Sequence, residues 1–245
     1  MSSFRKHKLE LQEALQKNNW ADYVASLCHN ASSTKKAINA LLGLLPRPEV
    51  HWQAAGGLGI AVCTLATFGM EDTRIIMRRL MWSMNEESGN LGWGVPQAMG
   101  AIVGKNDTLA AEYGNVLLSY MHDTGGEDNF IEYTPLRRGV YWAAGSLAQR
   151  HPLQVLPVVA SLVQGFMDDD TECTAYSAWA LATLCHALST PQQHAVQQQL
   201  ITLGVHQRCT ALQQNEATVT LLVGTTVETH TVEALAQNLL GCFGE

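Results

Sequence analysis

Four stretches of the chain can be laid over one another, and this self-similarity restricts the fold more than any other feature. Residues 50–62, 91–103, 136–148 and 173–185 align so that Gly59, Gly100, Gly145 and Ala182 share one column, at steps of 41, 45 and 37 residues. The column before it holds Leu58, Met99, Ala144 and Leu181. A small residue once per unit lets the backbones of neighbouring helices approach closely, and a period of this length suits a unit of two helices. Helical spacing fills the units. Val50, Ala54, Leu58 and Val62 follow at four-residue steps, as do Ile76, Leu80 and Met84, then Leu109, Tyr113, Leu117 and Met121, then Val155, Val159 and Val163. Ser33 and Thr34 are expected to cap a helix that reaches Leu45, and Pro46 and Pro48 to end it and prepare the next.

A two-helix repeat near forty residues marks the HEAT/armadillo class. The run from Leu136 through Arg137, Arg138, Gly139, Val140, Tyr141 and Trp142 to Leu147 resembles the second-helix signature of HEAT-like repeats of the bilin-lyase type. The box holding Glu86, Glu87, Gly89, Gly92, Trp93, Gly94, Pro96 and Gly100 looks like one found in bacterial HEAT-like proteins. The resemblance covers roughly residues 33–190; it implies a fold and carries no activity with it. The C-terminal stretch breaks the period. Residues 217–223 and 225–230 alternate in character, are rich in β-branched residues and flank Gly224, which predicts a hairpin; Thr231 then caps a last helix through Leu239. The expected fold class is therefore all-α. It is an α-α superhelix, a HEAT/armadillo-like solenoid of helix pairs over 1–215, with repeats near 33–69, 71–104, 106–150 and 152–188. A small C-terminal β-hairpin plus helix over 216–245 covers the last repeat as a cap of the same domain.

Charge is unevenly spread. Residues 1–105 hold eleven Lys/Arg against eight Asp/Glu, whereas residues 106–245 hold four against fourteen. A nucleic-acid binder needs a basic stripe to displace counterions, so a nucleic-acid partner is not expected. The six cysteines form no C-x-x-C pair and lie mostly in apolar helical stretches, which points to a reducing compartment and a cytoplasmic placement. The start is charged and without an apolar signal region, and no uninterrupted apolar run is long enough for a membrane span.

In a stacked helix-pair repeat, the loops inside the units emerge on one edge. Here they lie near 46–49, 85–95, 122–135 and 167–172. They carry Glu49; Glu86 and Glu87; Asp123, Glu127, Asp128 and Glu132; and Asp168, Asp169, Asp170 and Glu172. Carboxylates also favour helix N-termini for purely local reasons, but a whole row predicts an acidic rim. The glycines at 89, 92 and 94 ahead of Pro96 read either as a tight turn with Trp93 packed in the core, or as a ligand site holding Glu86, Glu87 and Trp93. The long third loop is followed at once by Arg137 and Arg138, which could pair with Glu86 and Glu87 in a structural network or face a ligand beside Asp128 and Glu132.

Chemistry is sparse. The nine histidines give no zinc spacing, and none precedes a Glu, so the His-Glu dipeptides of the HEAT-like deoxyhypusine hydroxylases are missing. No Gly-x-Ser-x-Gly elbow occurs, and Asp168, Asp169 and Asp170 lack calcium-loop spacing. No catalytic residue, metal or cofactor is therefore expected. The reading is a non-catalytic helical-repeat scaffold engaging a protein partner, a basic one, through the acidic rim and a concave face. Its binding residues would be Glu86, Glu87, Trp93, Asp128, Glu132, Arg137 and Arg138. The alternative is an accessory enzyme or small-molecule or cofactor-binding protein with a polar pocket between the second and third repeats.

Overall fold

A computed structural model describes residues 3–84, 92–126 and 129–243, with side chains from residue 8 onward. Residues group into two compact units, 1–113 with 222–227, and 114–221 with 228–245.

The first unit opens with α1 (Ser3–Leu15), α2 (Trp20–Leu27), α3 (Ala31–Leu42), α4 (His51–Phe68), α5 (Met70–Met84) and α6 (Val95–Val103). The predicted cap of α3 is displaced. Asn30 is the N-cap, accepting from the Ser33 amide at 2.9 Å, while Ser33 Oγ accepts from the Asn30 amide at 3.2 Å. Ser33 thus closes a capping box from the third helical position, because an amide side chain three residues upstream reaches the orphan donor better placed. Helix α4 packs on both α3 and α6. Its apolar residues run all round, so that Ala54, Ala55, Leu58, Ala61, Val62 and Leu65 are fully buried. The recurring small residue has its reason here: a Cβ on Gly59 would stand 2.6 Å from the Ala101 carbonyl oxygen in α6. Trp20 is buried in this unit and donates its indole N–H to Thr225 O at 3.1 Å.

Helix α7 (Asp107–Ser119) gives residues to both units. The second unit continues with α8 (Thr134–Ala148), α9 (Pro152–Val155), a 3-10 turn at Leu156–Val158, α10 (Val159–Phe166), α11 (Thr171–Ala187), α12 (Thr190–Thr202) and α13 (Val205–Ala211). Helices α8 and α11 make the broadest contact. Gly145 sits on it; an added Cβ would fall 2.3 Å from the Trp179 ring, which stacks on Trp142 at 6.0 Å between centroids and 5° between planes. The second helices of successive repeats therefore lie against each other within each unit, the small-residue column marking the approach.

Strands β1 (Thr218–Val223) and β2 (Thr226–Thr231) pair as a two-stranded antiparallel hairpin. Gly224 occupies the turn at φ 63°, the left-handed region open to glycine. Helix α14 (Val232–Leu240) begins as predicted at Thr231, whose Oγ1 accepts from the Ala234 amide at 3.1 Å. It packs on α11, burying Val232, Leu235, Ala236 and Leu239. Tyr176 of α11 also donates its hydroxyl to Thr220 O at 2.8 Å. The C-terminal piece thus covers the final second helix, which would otherwise expose apolar surface. The protein is a mostly helical repeat solenoid with a C-terminal hairpin and helix. Among the described residues no helix is long and apolar enough to cross a membrane.

Candidate functional site

Of the seven residues singled out by sequence, Glu86, Glu87 and Asp128 lie outside the described residues. Trp93 belongs to the first unit; Glu132, Arg137 and Arg138 belong to the second.

Trp93 precedes α6 in a turn set by Gly94, at φ 76°, and closed by the Val95 amide on Gly92 O at 2.9 Å. A side chain at Gly94 would be strained and would meet His51 Cε1 at 2.8 Å. The turn throws the indole outward: Trp93 is 40% exposed and lines a cleft. The expectation that it packs in the core fails because the core-facing positions of this turn are taken by Gly92, Gly94 and Val95, all buried.

Arg137 and Arg138 are both engaged by groups of the second unit. Arg137 is turned inward. Its Nη1 donates to Ile131 O at 2.7 Å and Glu132 O at 2.9 Å, its Nη2 to Thr134 Oγ1 at 3.2 Å, and its guanidinium lies 5.0 Å over the Phe130 ring. Asp168 Oδ2 is 3.6 Å away. One buried guanidinium thus satisfies the carbonyls of the loop leading into α8, where no helical or strand partner exists. Arg138 pairs forward along the chain. Its Nε and Nη2 grip Asp170 side-on, at 2.9 and 2.5 Å, and its Nη1 reaches Glu172 at 2.5 Å. Burial opposes the charge on Asp170, but the Arg138 guanidinium and the Cys173 amide together outweigh it and hold the carboxyl below its ordinary pKa. Asp170 is also the N-cap of α11, through Cys173 N at 2.9 Å.

The acids divide accordingly. Asp170 and Glu172 are bound to Arg138, while Asp168 accepts from the Asp170 amide at 2.9 Å. Asp123, Glu132 and Asp169 keep exposed side chains, with Asp123 accepting from the Gly125 amide at 2.8 Å. Sequence spacing missed the Arg138–Asp170–Glu172 clamp because its partners lie 32 and 34 residues apart; the capping position of Asp170 was the one available signal. Among the described residues no cluster of His, Cys, Asp and Glu can hold a metal ion.

No family model matches the chain, and no curated protein matches its sequence. Solved structures do match. An engineered protein of a structural genomics series shares 15% identity at a TM-score of 0.52, covering 96% of each chain. The designed armadillo repeat protein YIII(Dq)4CqI shares 14% at 0.53, over 96% of this chain and 99% of that one. A further designed armadillo repeat protein, YIII(Dq.V1)4CPAF, in complex with the peptide (KR)4, shares 17% at 0.53, over 96% and 100%. At these identities the likeness establishes the fold, an armadillo-like helical repeat.

Proposed function

We propose that the chain is a non-catalytic binding scaffold that holds a basic segment of a partner protein on the acidic edge of its second unit. The observation that carries the reading is where the arginines go. Residues 106–245 hold four arginines against fourteen acids, and three of the four are engaged internally. Arg137 and Arg208 donate to backbone carbonyls, and Arg138 is clamped by Asp170 and Glu172. The surplus negative charge at Asp123, Glu132 and Asp169 is left to face solvent. Such a surface attracts Lys/Arg and accelerates encounter with a basic partner. The designed relative in complex with (KR)4 gives the fold a precedent for holding a basic peptide.

The same reading places the chain among HEAT-like repeats of the bilin-lyase type. It also places the chain in a reducing, cytoplasmic compartment, where six free thiols, five of them buried, persist. Nucleic acid is not a partner on this account, since the exposed charge has the wrong sign.

The test is a titration of fluorescent (KR)4 into the parent and into an Asp123→Asn, Glu132→Gln, Asp169→Asn triple variant. Among the described residues these side chains make no ion pair, so the fold is retained and affinity falls by about tenfold, at roughly 0.5 kcal/mol for each exposed charge. Unchanged affinity in a folded variant overturns the proposal.

A further inference from the structure

The first unit holds a cleft of about 350 Å³ whose chemistry is opposite to that of the acidic edge. Lys8 reaches it from α1, Asn39 from α3 and Arg79 from α5, while Leu42, Pro46 and the half-exposed indole of Trp93 supply apolar wall. No carboxylate is among its described lining residues. Three other cations of this unit are matched: Arg74 is bidentate on Glu112, Arg78 is on Glu71 and Lys35 is on Asp72. Lys8 and Arg79 face no acid within ion-pairing distance among the described residues. Arg79 Nη1 donates to Asn39 Oδ1 at 3.1 Å, which orients the guanidinium while its other donors meet no side-chain acceptor among the described residues. The Lys8 ammonium lies along the C-terminal end of α3, where a Cβ on Gly43 would come within 2.9 Å of it. Two cations therefore converge on one cleft, one of them oriented by a neutral amide, beside an indole held outward by a strain-specific glycine turn.

We propose that this cleft binds a small aromatic carboxylate, its ring against Trp93, Leu42 and Pro46 and its carboxylate between Arg79 and Lys8. The size fits a fused ring with a short acidic arm, since the cleft stands at the small end of the range of roughly 300–1,000 Å³ that ligand sites occupy. A guanidinium matches a carboxylate by two parallel N–H donors, and a ring stacks on indole with a preferred offset geometry, so both halves of the ligand are recognised. This site is independent of the proposed peptide surface, which uses other residues and the opposite charge.

The experiment is isothermal titration of the full chain with 2-naphthoate, neutral 2-naphthamide and inorganic phosphate. Naphthoate binds saturably and at least about tenfold tighter than either comparison ligand, the loss expected when a charge-assisted contact or the apolar contact is removed. Arg79→Gln and Lys8→Gln each weaken naphthoate by about tenfold and leave the amide unchanged, while Trp93→Leu weakens both. Melting curves confirm that each variant is folded; should Arg79→Gln not fold, Lys8→Gln and the acid–amide comparison decide. Equal binding of amide and acid, phosphate as tight as naphthoate, an unaffected Lys8→Gln variant, or no saturation by the parent each overturn the proposal. Binding of (KR)4 stays the same with naphthoate bound, so failure of one site is not failure of the other.

Discussion

Replacing Gly59 by alanine tests the reason for the small-residue period. In an exposed helix interior the change would stabilise by about 1 kcal/mol, from propensity alone. At Gly59 the new Cβ stands 2.6 Å from the Ala101 carbonyl oxygen and 3.0 Å from its carbon, both backbone atoms of α6. No rotamer change can relieve that contact, so α4 and α6 must separate. Overpacking of this kind costs about 1–3 kcal/mol, and backbone against backbone belongs at the upper end. The net loss is about 2 kcal/mol, or roughly 4–8 °C in melting temperature for a chain of this size. The assay is thermal unfolding followed by far-ultraviolet circular dichroism, with Gly241→Ala as control. Gly241 sits at φ −58° with nothing within 4 Å of its would-be Cβ, so alanine there is neutral or stabilises by about 0.4–1 kcal/mol. A Gly59→Ala variant that melts at or above the parent would refute the close approach of successive second helices.

Asp170→Asn keeps a capping side chain on α11 but discharges the clamp on Arg138, and lowers stability by about 1–2 kcal/mol at pH 7 in urea unfolding. The folded carboxyl titrates below its ordinary value, so this contribution is complete above about pH 4 and disappears as pH falls through the folded pKa; the gap between variant and parent closes there. Burial pushes the Tyr141 hydroxyl up to about 12. The unfolded chain therefore loses that proton first, and stability declines as pH rises above about 10, measurable as a falling urea midpoint. All six cysteines titrate as thiols in denaturant without reductant; in the native protein only Cys63, the one that is not buried, reacts quickly.

Much of the fold is legible in one dimension because it repeats. A glycine needed once per unit at a helix crossing recurs with the unit, as Gly59 and Gly145 do, and Gly224 between alternating β-branched runs announces a hairpin. The cap of α3 is not legible in the same way: Asn30, Ser33 and Thr34 are all competent, and the observed geometry selects Asn30, three residues ahead of Ser33. The candidate site was less legible. Arg137 and Arg138 are adjacent and identical in the sequence, yet one serves loop carbonyls and the other two carboxylates of the next helix start. Helical rotation of 100° per residue separates them, and their partners lie beyond any local spacing. Lys8, Asn39 and Arg79 come from three helices and share no pattern; only packing brings them to one cleft with Trp93.

The central claim is that surplus negative charge makes this repeat protein a receptor for basic segments. Its most direct test is fluorescence anisotropy of (KR)4 and of an acidic Glu/Asp octapeptide at low, physiological and high salt. The account predicts saturable binding of (KR)4 that weakens steadily as salt rises, because the screening length contracts from about 10 Å at 0.1 M to about 3 Å at 1 M, with no binding of the acidic peptide. Binding of (KR)4 that ignores salt, or an acidic peptide bound as tightly, would contradict it.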